Sequence, residues 1–155
     1  MSRVLERLLM EDLHAWDKLV ADYEERNRKL VVPMENTTET LHIFNIQLSE
    51  LYTQVYYDFA RAKRNRDAIQ RFLESVLKDY YSGPNPDARR AGGIQFAREY
   101  PAPEFWPFPK VNLFEIEDIW NKYYYLLDAT IATLKMKAES KITNNSILRL
   151  EKQLV

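Results

Sequence analysis

The sequence predicts an all-α protein built on two long antiparallel helices, and three observations carry that expectation. The 155 residues hold only three glycines and seven prolines, and six of the prolines fall between 83 and 111. An apolar residue returns at every seventh position through Leu41, Leu48, Val55, Ala62, Ile69 and Val76. After the proline-rich stretch comes a second broad stripe of Leu113, Ile116, Trp120, Tyr123, Leu127 and Leu134. A strict seven-residue repeat asks for a partner helix along one seam, and two such stripes suit an antiparallel pair. The length is that of one domain, so residues 1–155 read as a single helical domain.

An N-terminal helix is expected over 1–32, with Leu5, Leu9, Leu13, Trp16, Val20 and Tyr23 at helical spacing. Pro33 follows two valines in a stretch that favours extended chain. The long helix is expected over 36–82. Asn36 with Glu39 three residues on resembles a capping box, and neither Gly nor Pro occurs before Gly83. At about 1.5 Å per residue such a helix measures roughly 65 Å. The companions of its heptad positions drift, from Phe44 and Leu51 to Asp58 or Phe59, then Asn65 or Arg66, then Phe72. A helix this long outruns the core of one small domain, and a helical hairpin or an oligomer would bury it better.

Residues 83–111 read as a long loop opened by Gly83, with Phe96, Tyr100, Phe105, Trp106 and Phe108 among its prolines. Loops of that length are usually functional or mobile. The aromatics of its second half favour packing against the chain's own helices. The region 112–155 then holds the C-terminal helices. Asn112 with Glu115 forms a second capping box, and Val111 with Ile116 fits the hydrophobic staple across it. Ile119, Leu126 and Ile131 widen the stripe. The run Thr143-Asn144-Asn145-Ser146 is expected to interrupt the helix and leave a short terminal one, with Ile147, Leu150 and Leu154 on one side. Completion of the helices by oligomerisation is expected, with Trp120, Leu127, Leu134 and Ile142 as the self-association residues.

Composition narrows the function classes. Lys plus Arg is 22 and Asp plus Glu is 23, a formal charge of −1, so the chain is not uniformly basic. Cysteine is absent, which excludes disulfide scaffolds, thiolate zinc sites and thiol chemistry and fits a reducing interior. No apolar run approaches the roughly 18 residues of a membrane span, and the opening MSRVLERLLMEDLHAW lacks a signal-peptide core. His14 and His42 lie on separate segments, so a metal site would have to be built from carboxylates. Glu115, Glu117 and Asp118 cluster in a first helical turn, where the helix dipole alone explains acidic residues. Gly92-Gly93 lacks the Lys-Ser or Lys-Thr of a phosphate-binding loop. No cofactor, metal or catalytic residue is implied, and the expectation is a protein without enzymatic activity.

Charge is unevenly distributed. Residues 1–60 carry six basic and eleven acidic groups, 61–98 carry nine and four, and 99–155 carry seven and eight. The middle block is a basic island in an acidic chain, and such segregation focuses positive potential on one surface. Its ordinary alternative is a solvated helix face paired with acidic neighbours. Arg64, Arg71 and Lys78 recur seven apart with Arg61 near them, a row able to track phosphates, while Lys63 and Arg66 fall on another side; Arg61, Arg64, Arg66, Arg71 and Lys78 are the candidate DNA contacts of this helix. Tyr80 and Tyr81 end the row. Exposed, they would be stacking platforms of the kind worth ~1–3 kcal/mol per base in single-strand binders; otherwise their rings lie buried under the loop. Arg89 and Arg90 in the loop would add non-specific contacts.

The segment LKDYYSG at 77–83 resembles the recombination mediators of T4-like bacteriophages, the UvsY family. That family has a long helix ending in a near-identical DYYSG, a polar variable loop, and a second long helix with an aromatic residue shortly before Leu-Leu-Asp. Trp120 and Tyr123–Tyr125 leading to Leu126-Leu127-Asp128 match this element. Glu35-Asn36-Thr37-Thr38 and Met10-Glu11-Asp12-Leu13 are similar in character. The layout covers most of the chain, and the firm matches about ten residues. The resemblance implies a small helical protein without catalytic activity that assembles into a ring and binds single-stranded DNA without sequence preference. It implies further that the protein helps load a RecA-like phage recombinase onto DNA coated by single-strand-binding protein, in the cytoplasm of the infected bacterial host. The family carries two basic residues shortly before the aspartate of DYYSG; here Ser75 and Leu77 take those positions and only Lys78 is basic. The alternative is a helical phage structural or assembly protein without a DNA role.

Overall fold

The computed structural model describes residues 3–35, 37–79 and 83–154, with the side chains of 141–148 outside the description. It is mostly helical. The helices are α1 (Arg3–Leu9), α2 (Leu13–Lys29), α3 (Thr38–Asp79), α4 (Pro86–Arg98) and α5 (Leu113–Leu154), with two short strands, β1 (Tyr100–Pro101) and β2 (Lys110–Val111). The two 42-residue helices α3 and α5 are those that the apolar stripes predict.

Four expectations need correction. The helix expected over 1–32 breaks between Leu9 and Leu13, where the Met10 amide still bonds to Glu6 but the Glu11 amide reaches only Leu8, at 3.4 Å. Asp12 stands just before α2, where aspartate favours a helix start. The segment 83–111 is not one loop, because it contains α4 and the strand pair. The Asn85 side chain, in extended backbone, accepts from the Ala88 amide at 2.8 Å, and Pro86 follows at the first helical position, a favoured arrangement. The run Thr143–Ser146 does not interrupt α5. These residues each cost under about 0.7 kcal/mol relative to alanine in a helix, too little to stop one flanked by good formers. The N-terminal cap of α3 sits on Thr37, with Asn36 outside the described residues. The Thr40 amide donates to Thr37 Oγ1 and the Thr37 amide to Thr40 Oγ1, both at 3.1 Å, so the reciprocal box uses Thr40 in place of Glu39.

The chain divides into two compact units, one of Met1–Leu13 with Arg61–Tyr124 and the other of His14–Ala60 with Tyr125–Val155. In the first unit Leu5, Leu8, Ala62, Ile69, Leu73, Val76, Leu113 and Trp120 are buried. Each leucine or isoleucine so buried stabilises the fold by about 1.5–3 kcal/mol. Asn65 is buried among them at 1% exposure. It accepts from Arg7 at 2.7 Å and donates to Glu11 at 3.2 Å, so it fastens α1 and its end to α3. The Tyr123 hydroxyl donates to the Leu13 carbonyl at 3.2 Å.

The strand pair is antiparallel, with Tyr100 opposite Val111 and Pro101 opposite Lys110. Beyond it the Ala102 amide bonds to the Pro109 carbonyl at 3.1 Å, and the Trp106 amide to the Pro103 carbonyl at 3.0 Å. The latter closes a turn with Glu104 and Phe105 at its centre. The base is anchored by Tyr100, whose ring meets Phe72 and Phe96 edge-on at 5.3 and 5.5 Å. So the aromatics at the base pack on the chain's helices, as expected, while Phe105 and Phe108 at the tip stand exposed. α5 begins beside this hairpin, and Asn112 Oδ1 accepts from the Phe114 amide at 3.1 Å, so the Asn112 side chain caps the helix through Phe114 and not through Glu115.

In the second unit Trp16, Val20 and Tyr23 of α2 are buried, as are Leu41, Phe44, Leu48, Leu51 and Val55 of α3 and Leu127, Ile131 and Leu134 of α5. Tyr23 donates to Asp58 at 2.5 Å and Arg26 to Gln54 at 2.7 Å, so α2 runs antiparallel to this part of α3. Burial, with the bond to Asp58 second, pushes the Tyr23 phenol well above its usual range. On the α5 side, Asn27 donates to Thr133 at 2.5 Å. The Lys137 ammonium donates to the Asn27 carbonyl and, at 2.9 Å, to its side-chain oxygen.

Candidate nucleic-acid interface

The basic island forms on the part of α3 that belongs to the first unit. Three core positions on that stretch, Ala62, Ile69 and Val76, are buried, and Arg61, Arg64, Arg71 and Lys78 are exposed. A seven-residue step turns a helix by nearly two full revolutions, so Arg64, Arg71 and Lys78 share one side at intervals of about 10 Å along the axis. Among the described residues, none of these three makes an ion pair. Lys63, also exposed, lies 3.7 Å from Asp67.

Arg66 is placed differently. Its guanidinium stands 3.7 Å from the centre of the Tyr124 ring and bonds to Asp67 at 3.0 Å, and its side chain is 17% exposed. That packing uses its charge inside the unit and withdraws it from the expected DNA contacts. Arg7 supplies a cation that sequence reasoning missed. Burial first, then the neighbouring charge of Arg64, pushes its guanidinium below the usual arginine range, with Glu11 opposing. Fifty-seven positions separate Arg7 from Arg64, and only the docking of α1 on α3 brings them together. Arg89 and Arg90 are exposed on the first turns of α4, not on a loop, and Arg89 also reaches the Asn85 carbonyl at 3.4 Å.

The expected stacking platforms Tyr80 and Tyr81 lie outside the described residues, as does the side chain of Ile142. The other three expected self-association residues lie inside the fold. Trp120, Leu127 and Leu134 are 1%, 0% and 0% exposed, packed into the cores of their own units. The acidic cluster at the start of α5 holds Glu117, whose carboxyl is pushed up by burial and then by Asp118. Among the described residues no group of three or more His, Cys, Asp or Glu side chains is placed to hold a metal ion. Nor is any helix among them long and apolar enough to cross a membrane.

No protein-family model matches the chain, and no curated protein or solved structure does either.

Proposed function

We propose that this protein is a non-catalytic recombination mediator. It binds single-stranded DNA without sequence preference and helps load a RecA-like recombinase onto DNA coated by single-strand-binding protein. The observation that carries this reading is the row of Arg64, Arg71 and Lys78, exposed on one side of α3 and without an ion pair among the described residues. A regular line of unneutralised cations on a stiff helix matches a polyanion and reads no base edge, so the binding it supports is independent of sequence. Arg61 beside the row and Arg89 and Arg90 on α4 add to the same field. The resemblance of LKDYYSG and the Leu126-Leu127-Asp128 element to the phage mediators supplies the role of that binding. It also supplies the ring-shaped homo-oligomer and the setting, the cytoplasm of an infected bacterium. In a ring each weak contact is repeated, and the repeats add through effective concentration.

The test is a salt titration of binding to oligo-dT and to a mixed-sequence oligonucleotide, with light scattering on the free protein and the complex. Equal affinities that fall steeply with salt, on an oligomer, are the expected result. A chain that ignores both oligonucleotides at low salt overturns the proposal and favours a helical assembly protein whose cations face an acidic partner.

A further inference from the structure

The hairpin tip is a built feature that DNA binding does not use. Four prolines frame it, Pro101, Pro103, Pro107 and Pro109, of which Pro103 is buried. It is closed by the turn at Pro103–Trp106 and braced at its base by Tyr100 and by the Lys110–Glu99 ion pair at 3.4 Å. Phe105 and Phe108 are nevertheless 48% and 65% exposed. Proline framing lowers the entropy lost when such a tip is held, which suits insertion into a partner. The charge around it is wrong for nucleic acid. From Glu99 to Asp118 the chain carries five carboxylates and one lysine, and that lysine is tied to Glu99. The occupant that fits is an apolar groove with a cationic and no anionic edge.

The second unit displays such a groove. It has a volume of about 370 Å³ and is lined by Leu48, Ser49, Tyr52 and Thr53 of α3 and by Leu134, Lys135 and Ala138 of α5. Among the described residues its one charged lining side chain is Lys135. Among the described residues neither Lys135 nor Glu104, beside Phe105 at the tip, has an ion-pair partner. Another depression of this unit, lined by Arg26, Lys29, Leu30, Gln47, Glu50 and Leu51, is more polar and carries a carboxylate.

We infer that the Phe105–Phe108 tip of one copy of this chain seats in the Leu48–Tyr52–Leu134–Ala138 groove of a second copy, with Glu104 facing Lys135. The inference rests on the proposed homo-oligomer and names the contact that builds it. Tip and groove are different surfaces, so the contact is head-to-tail, the kind that closes into a ring when the rotation per subunit allows. It also gives the exposed tip phenylalanines an apolar surface to cover them.

The experiment uses two full-length variants and multi-angle light scattering. Phe105→Ser with Phe108→Ser disables the tip, and Ser49→Trp with Lys135→Glu blocks the groove; all four positions are exposed, and helical circular dichroism checks that each variant folds. Each variant alone is expected as a monomer, and an equimolar mixture as a dimer, because the mixture holds one intact tip and one intact groove. Glu104→Lys is expected to weaken assembly at least tenfold, and Glu104→Lys with Lys135→Glu to recover most of it. Variants that keep the wild-type mass, or monomers that do not pair on mixing, overturn the inference while leaving an oligomeric mediator standing. A wild-type chain that is monomeric at all concentrations overturns both.

Discussion

Replacing Arg64, Arg71 and Lys78 together by alanine removes the only regular line of cations on α3. If each neutralises one phosphate of a single strand, the slope of log affinity against log salt falls by about 0.7 per contact, or about 2 for three. Between 50 and 200 mM salt the wild-type affinity then drops roughly 20-fold more than that of the variant. The loss is expected to be largest at low salt and to narrow as salt rises. Fluorescence anisotropy with labelled oligo-dT at four salt concentrations measures it, while thermal unfolding checks that the exposed substitutions leave stability unchanged. Arg66→Ala is the matched control. Its guanidinium lies on Tyr124 and Asp67, so its loss is expected to cost about 1–2 kcal/mol of stability and to leave the slope alone. An unchanged slope in the triple variant, or a changed one in Arg66→Ala, refutes the assignment of the row.

Asn65→Ala removes both bonds that fasten α1 to α3, and hydrogen bonds to charged groups are worth about 1.5–3 kcal/mol each. A loss of about 2–4 kcal/mol in urea unfolding and faster amide exchange across Arg3–Leu9 are expected. Gly83→Ala places a methyl group at a backbone φ of +148°, 2.9 Å from the Ala88 Cβ and 3.0 Å from the Arg89 amide; a lower melting temperature, equivalent to about 1–3 kcal/mol, is expected. Glu117 binds its proton more tightly in the fold than at its ordinary value of 4.5. Its charge therefore costs stability at neutral pH, a cost that vanishes once the pH falls below 4.5. Glu117→Gln should be more stable than wild type at pH 7 and equal to it near pH 4, as read from urea midpoints.

The heptad of α3 is legible in the sequence because burial follows it without exception: Leu41, Leu48, Val55, Ala62, Ile69 and Val76 are all 7% exposed or less. Its drifting companions conceal two polar joints. Asp58 receives Tyr23, and Asn65 joins Arg7 to Glu11, so what looks like a fading stripe is where α2 and α1 are hydrogen-bonded to α3. α4 is hard to see in the sequence because Pro84, Pro86, Gly92 and Gly93 all lie within or beside it, although Asn85-Pro86-Asp87 carries the signature of a helix start. Of the basic island, the exposed Arg64, Arg71 and Lys78 follow from spacing alone. The withdrawal of Arg66 and the arrival of Arg7 do not, because each depends on a residue distant in sequence, Tyr124 in one case and Asn65 in the other. Sequence could not separate Trp120, Leu127 and Leu134 from an outward-facing seam, since a stripe has the same spacing whether its partner is the same chain or another.

The boundaries of the two units fall inside helices. The chain leaves the first unit after Leu13, returns at Arg61 within α3, and leaves again after Tyr124 within α5. Neither unit is a contiguous stretch of sequence, so no single cut can release one intact. Deletion from the N-terminus takes the α1 part of the first unit and then the α2 part of the second, and deletion from the C-terminus takes one wall of the groove, so a truncated chain loses packing along with any site. Assigning activities to this protein therefore calls for point substitutions in the full-length chain, where a lost function can be traced to a side chain instead of a missing strut.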